Sequence, residues 1–372
     1  MSTIKVNLFS PRNRNYDIII SNKNLEKFGE EIPKRQLGDS AFIISNPPIY
    51  ELYGNKVCKS LQKSGIKKID KYLLPQGEKF KSFQYYKKTL DALVNFDDEK
   101  LKDIFIVNLG GGVISDLGGF VAATYKRGIS YVQIPTTLLA FVDSTIGGKV
   151  AVDYGNKKPI KNLVGTFYQP SLVFGDLQLL NTLPKLELKS GFAEIIKYGV
   201  IDDENLFELL EKKYKQLLSL DTKLLSEVVT LSCKIKAKIV QEDEFDRKGI
   251  RAKLNFGHTI GHAIESVSDF KYRHGEAIAI GMICAAEIAC ELSMFSKESC
   301  KRLVNLVHSF GLPTTISNCK GNDIIQVMMY DKKFKGGTNK FILPVTIGKV
   351  KVISGVNYNL IRKVLFNRIY KP

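Results

Sequence analysis

Three of the chain's four histidines, His258, His262 and His274, fall between positions 258 and 274. In Asn255-Phe256-Gly257-His258-Thr259-Ile260-Gly261-His262, two imidazoles stand at i and i+4, on one helix face. That spacing nominates both as ligands of one ion; the alternative is one helix-packing histidine and one ligand. His274, before Gly275-Glu276, supplies a third ring. Imidazoles suit Zn²⁺, and a catalytic site takes about three protein ligands and keeps a position open. The matching carboxylate is Glu194, in Phe192-Ala193-Glu194-Ile195-Ile196-Lys197. Glu194 and Lys197 at i and i+3 could be a surface pair, but the apolar segment around them points to a cleft. His308 lies apart from the cluster and reads as structural or exposed.

A second set is cationic. Lys149, Lys161, Lys197, Lys236, Arg251, Lys332/Lys333 and Arg127 are spread along the chain, several beside glycines or small polar residues. Cations converging on one cleft would bind a phosphorylated, carboxylated substrate. A third set is glycine-rich. The apolar run Ile104–Leu109 enters Gly110-Gly111-Gly112 and then Val113-Ile114-Ser115-Asp116. Strand, glycines and helix in that order form a phosphate-binding turn for a dinucleotide. Thr136-Thr137 and the turn Asp143-Ser144-Thr145-Ile146-Gly147-Gly148-Lys149 add hydroxyls and a cation nearby.

These groups need elements to hold them. Apolar runs at 17–20, 41–45, 72–74, 104–109 and 131–135 read as strands, alternating with helical stretches at 50–63 and 83–94. Such alternation implies a parallel sheet covered on both faces. From about Leu186, helical spacing takes over through 218, 224–240, 258–267, 277–292 and 297–310, with strand signals only at 340–344 and 350–353. The expected fold is an α/β, Rossmann-like dinucleotide-binding domain over residues 1–180, an NAD-binding domain on the resemblance given below. A mostly α-helical metal- and substrate-binding domain is expected over 181–372, the boundary near Asp176–Pro184.

Composition limits the partners. The 372 residues are 44% hydrophobic and 10% aromatic, which excludes a disordered or coiled-coil chain. The net charge of +17 admits nucleic acid, but no recognised module or basic–aromatic interleaving supports it. The basic run from Lys332 onward reads as a solvated face that includes strands. Six cysteines without a CxxC pair suit a reduced compartment. The first residues hold no apolar signal core, and the run 277–286 is too short to span a membrane. A cytoplasmic location is expected, with neither membrane nor nucleic acid as partner.

Taken in order, GGGVISDLGGFVAA (110–123), PTTLLAFVDSTIGGK (135–149), KNLVGTFYQP (161–170), GFAEIIKYGVI (191–201), KAKIVQEDE (236–244), GIRAKLNFGHTIGHAIE (249–265), HGEAIAIGM (274–282) and DKK (331–333) resemble the 3-dehydroquinate synthases among the sugar-phosphate cyclases. The resemblance implies a homodimer with NAD and one divalent metal, Zn²⁺ or alternatively Co²⁺. It implies conversion of 3-deoxy-D-arabino-heptulosonate 7-phosphate to 3-dehydroquinate and phosphate, in the shikimate route to chorismate and aromatic amino acids. The implied steps are transient oxidation by NAD, phosphate elimination, re-reduction, ring opening and an intramolecular aldol closure. The implied metal ligands are Glu194, His258 and His274, with His262 moved to the substrate side. Asp143, Lys149, Asn162, Lys197, Lys236, Arg251, Asn255 and His262 would line the substrate pocket, joined by Lys333 or Lys332. Arg127 would reach the phosphate of the neighbouring subunit's substrate. On the NAD side the resemblance implies Glu78, Lys81, Gly111, Gly112, Val113, Asp116, Thr136, Thr137, Asp143, Ser144, Lys161, Asn162, Thr182 and Glu187. Three departures stand out: Asn46 where Asp is common, Asp153 where Asn is frequent, and a highly charged loop at 245–248. The competing readings are a polyol dehydrogenase similar to glycerol dehydrogenase, which would release NADH, and another sugar-phosphate cyclase lacking groups for a carboxylate.

Overall fold

The computed structural model describes residues 14–97, 103–155, 160–269, 271–330 and 339–370. Six strands form one parallel sheet: β1 (Asp17–Ser21), β2 (Ser40–Ser45), β3 (Lys68–Leu73), β4 (Ile104–Gly110), β5 (Tyr131–Pro135) and β8 (Leu172–Asp176), in the order β1-β8-β5-β4-β2-β3. Its central strands β2, β4, β5 and β8 are buried throughout, as expected of strands covered on both faces. Helices α1 (Asn55–Lys63), α2 (Phe83–Phe96) and α3 (Gly112–Thr124) belong to this half. Helix α3 packs tightly on the sheet: a Cβ at Gly118 would sit 1.9 Å from Oδ1 of Asn108 on β4. Between β5 and β8 the antiparallel hairpin β6 (Lys149–Tyr154) and β7 (Ile160–Phe167) projects from the sheet.

The carboxylate of Asp176, at the end of β8, is fully buried. It accepts the backbone N–H groups of Lys23 (2.8 Å), Asn24 (2.7 Å), Leu25 (2.7 Å) and Gln178 (3.0 Å). The chain then turns helical. Helices α4 (Lys185–Asp202), α5 (Glu204–Leu218), α6 (Thr222–Glu242), α7 (His258–Val267), α8 (His274–Glu291), α9 (Lys297–Ser309), α10 (Gly321–Tyr330) and α11 (Tyr358–Asn367) follow. The hairpin β9 (Lys340–Thr346) and β10 (Lys349–Ser354) sits among them. Asp203 and Asp221 cap α5 and α6 by accepting the N–H of Leu206 and Leu224. Helix α8 is buried without a break from Ala277 to Ala286. None of the helices searched among the described residues is long and apolar enough to cross a membrane.

The expected class, a parallel α/β part followed by a mostly helical part, is the observed one. Details differ. The helical stretch 186–218 is two helices, because Asp203 leaves the helical conformation to act as a cap. The weak strand at 72–74 is the edge strand 68–73, whose exposed Asp70 and Lys71 obscure its pattern. The glycine turn at Lys149 leads into the β6–β7 hairpin. Strand β8 and helices α10 and α11 are additions.

Candidate active site and metal centre

Glu194 lies in the middle of α4, His258 starts α7 and His274 starts α8. Their ligand atoms fall within 4.8 Å of one another. Glu194 Oε1 is 3.3 Å from His274 Nε2 and 3.6 Å from His258 Nε2. His258 Nδ1 meets the Phe256 carbonyl at 3.1 Å. A carbonyl only accepts, so Nδ1 carries the proton and the Nε2 lone pair faces Glu194. Burial holds the His258 imidazole well below its ordinary pKa, which outweighs the nearby Glu194 charge and keeps the ring a neutral ligand. For His274 burial also lowers the pKa, but the Glu194 and Glu265 carboxylates beside its two ring nitrogens outweigh it and raise it to about 10. Burial opposes ionisation of Glu194; the Lys197 ammonium and both imidazoles overcome it and keep the carboxyl well below its usual range. Lys197, itself buried, pairs directly with Glu194.

The expected ligand pair His258 and His262 is not what surrounds Glu194. His262, one turn along α7, is exposed and lines the cleft, and His274 completes the trio. A fully buried carboxylate beside two Nε2 atoms, its oxygens lacking a hydrogen bond of good geometry among the described residues, fits one divalent cation with a position left open.

The trio opens on a cleft of about 550 Å³ between the two halves. From α4 and α6, Lys197 and Lys236 reach it; Arg251, Asn255 and His262 line the adjoining wall. Across the cleft stand Asp116, Asp143, Ser144, Lys149 and Asn162. Lys236 Nζ binds Asp143 Oδ1 at 2.5 Å and its carbonyl at 2.6 Å, and Tyr198 donates to Asp143 Oδ1 at 3.0 Å. Burial opposes ionisation of Asp143, yet Lys236 and Lys197 keep its pKa below normal. Burial lowers the pKa of Lys236, against the pull of Asp143. Arg251 is pinned by the Gly147 and Glu244 carbonyls at 3.2 and 2.9 Å, and Lys149 pairs with Asp246 at 2.6 Å.

Gly111, Gly112 and Val113 form the turn from β4 into α3. The hydroxyls of Thr136 and Ser144 are buried and have no hydrogen-bond partner among the described residues. With Thr137 at the same strand end, these orphaned groups and side-chain-free glycines fit a dinucleotide. Lys81 joins Asp116 to Asn162. Asp153, one of the departures, accepts the backbone N–H of Asn162 at 2.8 Å, and Asn162 has φ of 53°. Lys161 lies 3.6 Å from Glu78 and 3.1 Å from Glu265. Asn46 caps the following helical turn through Ile49 N–H. Thr182 meets the Tyr53 hydroxyl, and Glu187 pairs with Arg273 at 2.8 Å.

Arg127 is exposed on the sheet half and is not among the cleft's lining residues. Lys332 and Lys333 lie outside the described residues.

Family profiles for the 3-dehydroquinate synthase N-terminal and C-terminal regions match residues 71–190 and 191–334. The chain belongs to the 3-dehydroquinate synthase family. A 3-dehydroquinate synthase from Desulforamulus reducens is 44% identical over 358 residues, covering 96% of this chain and 97% of its own. One from Nostoc punctiforme is 43% identical over 368 residues, covering 98% and 99%. A solved 2-deoxy-scyllo-inosose synthase complexed with carbaglucose-6-phosphate, NAD⁺ and Co²⁺ matches with TM-score 0.86 and 26% identity, covering 95% of this chain and 97% of that one.

For this family member, residue types alone do not single out Tyr198, Asp246 or Glu265. Glu265 was within reach, since it lies on α7 three positions past His262. The others sit beside an expected residue only after folding.

Proposed function

We propose that the chain is a phosphate-eliminating carbon–oxygen lyase, a 3-dehydroquinate synthase. It converts 3-deoxy-D-arabino-heptulosonate 7-phosphate to 3-dehydroquinate and phosphate in the shikimate route. One observation carries this reading: a three-ligand metal centre faces a cleft that also gathers Lys149, Lys197, Lys236, Arg251 and His262 opposite a dinucleotide-binding turn. A polyol dehydrogenase needs no such cationic set.

Glu194, His258 and His274 would hold the divalent cation. Gly111, Gly112, Thr136 and Ser144 would receive NAD, with Lys81 and Asp116 beside them. When bound, the ion polarises substrate hydroxyls and NAD takes and returns a hydride. The chain's own residues supply position and field. Arg251, held by two carbonyls, presents its charge to the substrate carboxylate with little freedom to lose. Asn255 and His262 flank it. Lys197 offsets Glu194 and leaves donors for a substrate hydroxyl. Asp143, fixed by Lys236 and Tyr198, accepts hydroxyl protons in hydrogen bonds from substrate or cofactor. Lys149 and Asn162, on the hairpin, cover the cleft from the other half and limit water.

Residues 1–180 would serve NAD and 181–372 metal and substrate. The protein would act as a homodimer in the cytoplasm, a compartment suited to its six free cysteines. Arg127 would complete the neighbouring subunit's phosphate site. The deciding assay supplies the heptulosonate phosphate, catalytic NAD and Zn²⁺. Phosphate release without net NADH supports the synthase; stoichiometric NADH refutes it.

A further inference from the structure

Glu265 belongs to none of the ligand, substrate or cofactor sets above. Its side chain is only 3% exposed, so its charge needs partners close at hand. Two groups supply them. Oε2 lies 3.5 Å from Nδ1 of His274, and Oε1 accepts from Lys161 Nζ at 3.1 Å. On its other side, His274 Nε2 is 3.3 Å from Glu194. A line of contacts therefore runs from the β6–β7 hairpin through Lys161, Glu265 and His274 to Glu194. A neutral imidazole carries one N–H. A carboxylate at Nδ1 keeps the proton there and turns the Nε2 lone pair outward. For His258 the Phe256 carbonyl has the same effect.

We propose that Glu265 is a positioning residue of the metal centre: it fixes the tautomer and ring orientation of His274, while Lys161 of the sheet half neutralises and braces it. This rests on the reading of Glu194, His258 and His274 as the ligands. A different use of the same residues has to be weighed. His262, Glu265 and His274 also offer ligand atoms within 4.8 Å of one another, which would make Glu265 a ligand of a second ion. Two features oppose that. His274 would have to lose its last ring proton to serve two ions, and the Lys161 ammonium already sits on Glu265.

The test is titration of metal-stripped protein with Zn²⁺ and Co²⁺, reading stoichiometry, affinity and the visible Co²⁺ spectrum. The variants are Glu265→Ala, Glu265→Gln and Glu194→Gln, with thermal unfolding of each metal-free protein as control. The wild type is expected to bind one ion per chain. Glu265→Ala should weaken binding by about 10- to 100-fold without changing the stoichiometry. Glu265→Gln keeps an acceptor but not the charge, so it should lose less and shift the Co²⁺ bands. Wild-type affinity and spectrum in Glu265→Gln and, if it folds, in Glu265→Ala overturn the proposal. So do two ions per chain in the wild type, of which Glu265→Ala loses one. Unchanged binding in Glu194→Gln overturns the ligand reading itself, a separate failure.

Discussion

The two histidine-bearing helices are held together by close backbone contact, and Gly281→Ala tests what that closeness is for. A Cβ at Gly281 on α8 would lie 2.0 Å from the carbonyl oxygen of Gly257 and 2.9 Å from the amide nitrogen of Gly261. Both are backbone atoms and cannot rotate away. To restore an ordinary contact near 3.4 Å, the start of α7 must retreat by more than 1 Å. Overpacking of this kind costs about 1–3 kcal/mol. At roughly 2–4 °C per kcal/mol for a unit of about 200 residues, the metal-free protein should melt several degrees lower yet stay folded. The ion should feel more. His258 directly follows Gly257, and metal–ligand distances tolerate only about 0.2 Å of error. Zn²⁺ affinity should therefore fall by about 100-fold or more, or about 2.8 kcal/mol. The assay pairs a Zn²⁺ competition titration with melting of the metal-free chain. If Gly281→Ala binds Zn²⁺ within twofold of wild type and melts within a degree of it, the helices do not set the ligand geometry and the argument fails.

Other substitutions separate the roles of neighbouring groups. Glu194→Gln should abolish metal binding and turnover while the circular dichroism of the fold is unchanged; retained metal-dependent turnover would remove Glu194 from the ligand set. Lys197→Met leaves the Glu194 carboxylate buried without its ammonium, a loss of about 3–5 kcal/mol by analogy with broken buried pairs. Saturating Zn²⁺ should recover part of that loss in melting experiments, whereas an equal deficit with and without Zn²⁺ would mean that Lys197 only packs. Asp176→Ala strands the N–H groups of Lys23, Asn24, Leu25 and Gln178, that of Leu25 in a fully buried bond, and should cost about 3–5 kcal/mol in denaturant unfolding, with cleft chemistry affected only through stability. Arg127→Ala should raise the KM for the phosphorylated substrate without weakening metal binding. Mixing it with Glu194→Gln should regain activity if Arg127 serves the neighbouring subunit, and no recovery would place its role elsewhere.

Much of this arrangement was legible in residue types. The histidine cluster and the apolar surroundings of Glu194 pointed to a cation site, and Gly110-Gly111-Gly112 after a buried run pointed to a nucleotide turn. Periodicity could not choose between His262 and His274. Residues at i and i+4 share a helix face, but the choice depends on how α7 crosses α8, a tertiary fact set by Gly257, Gly261 and Gly281. The β6–β7 hairpin escaped because β7 is largely exposed and Ile160–Phe167 lacks a clean alternation. Tyr198 and Asp246 escaped because their partners are distant in sequence. Their value arises from burial and pairing, which no local pattern encodes.

All three candidate ligands ride on helices that follow Asp176, and the sheet half contributes Lys161 at one remove. Occupancy by the ion should then be a durable trait of each chain, retained while small molecules come and go through the cleft. Dialysis that washes away nucleotide should leave the ion behind, and exchange with labelled Zn²⁺ should proceed at a pace indifferent to turnover.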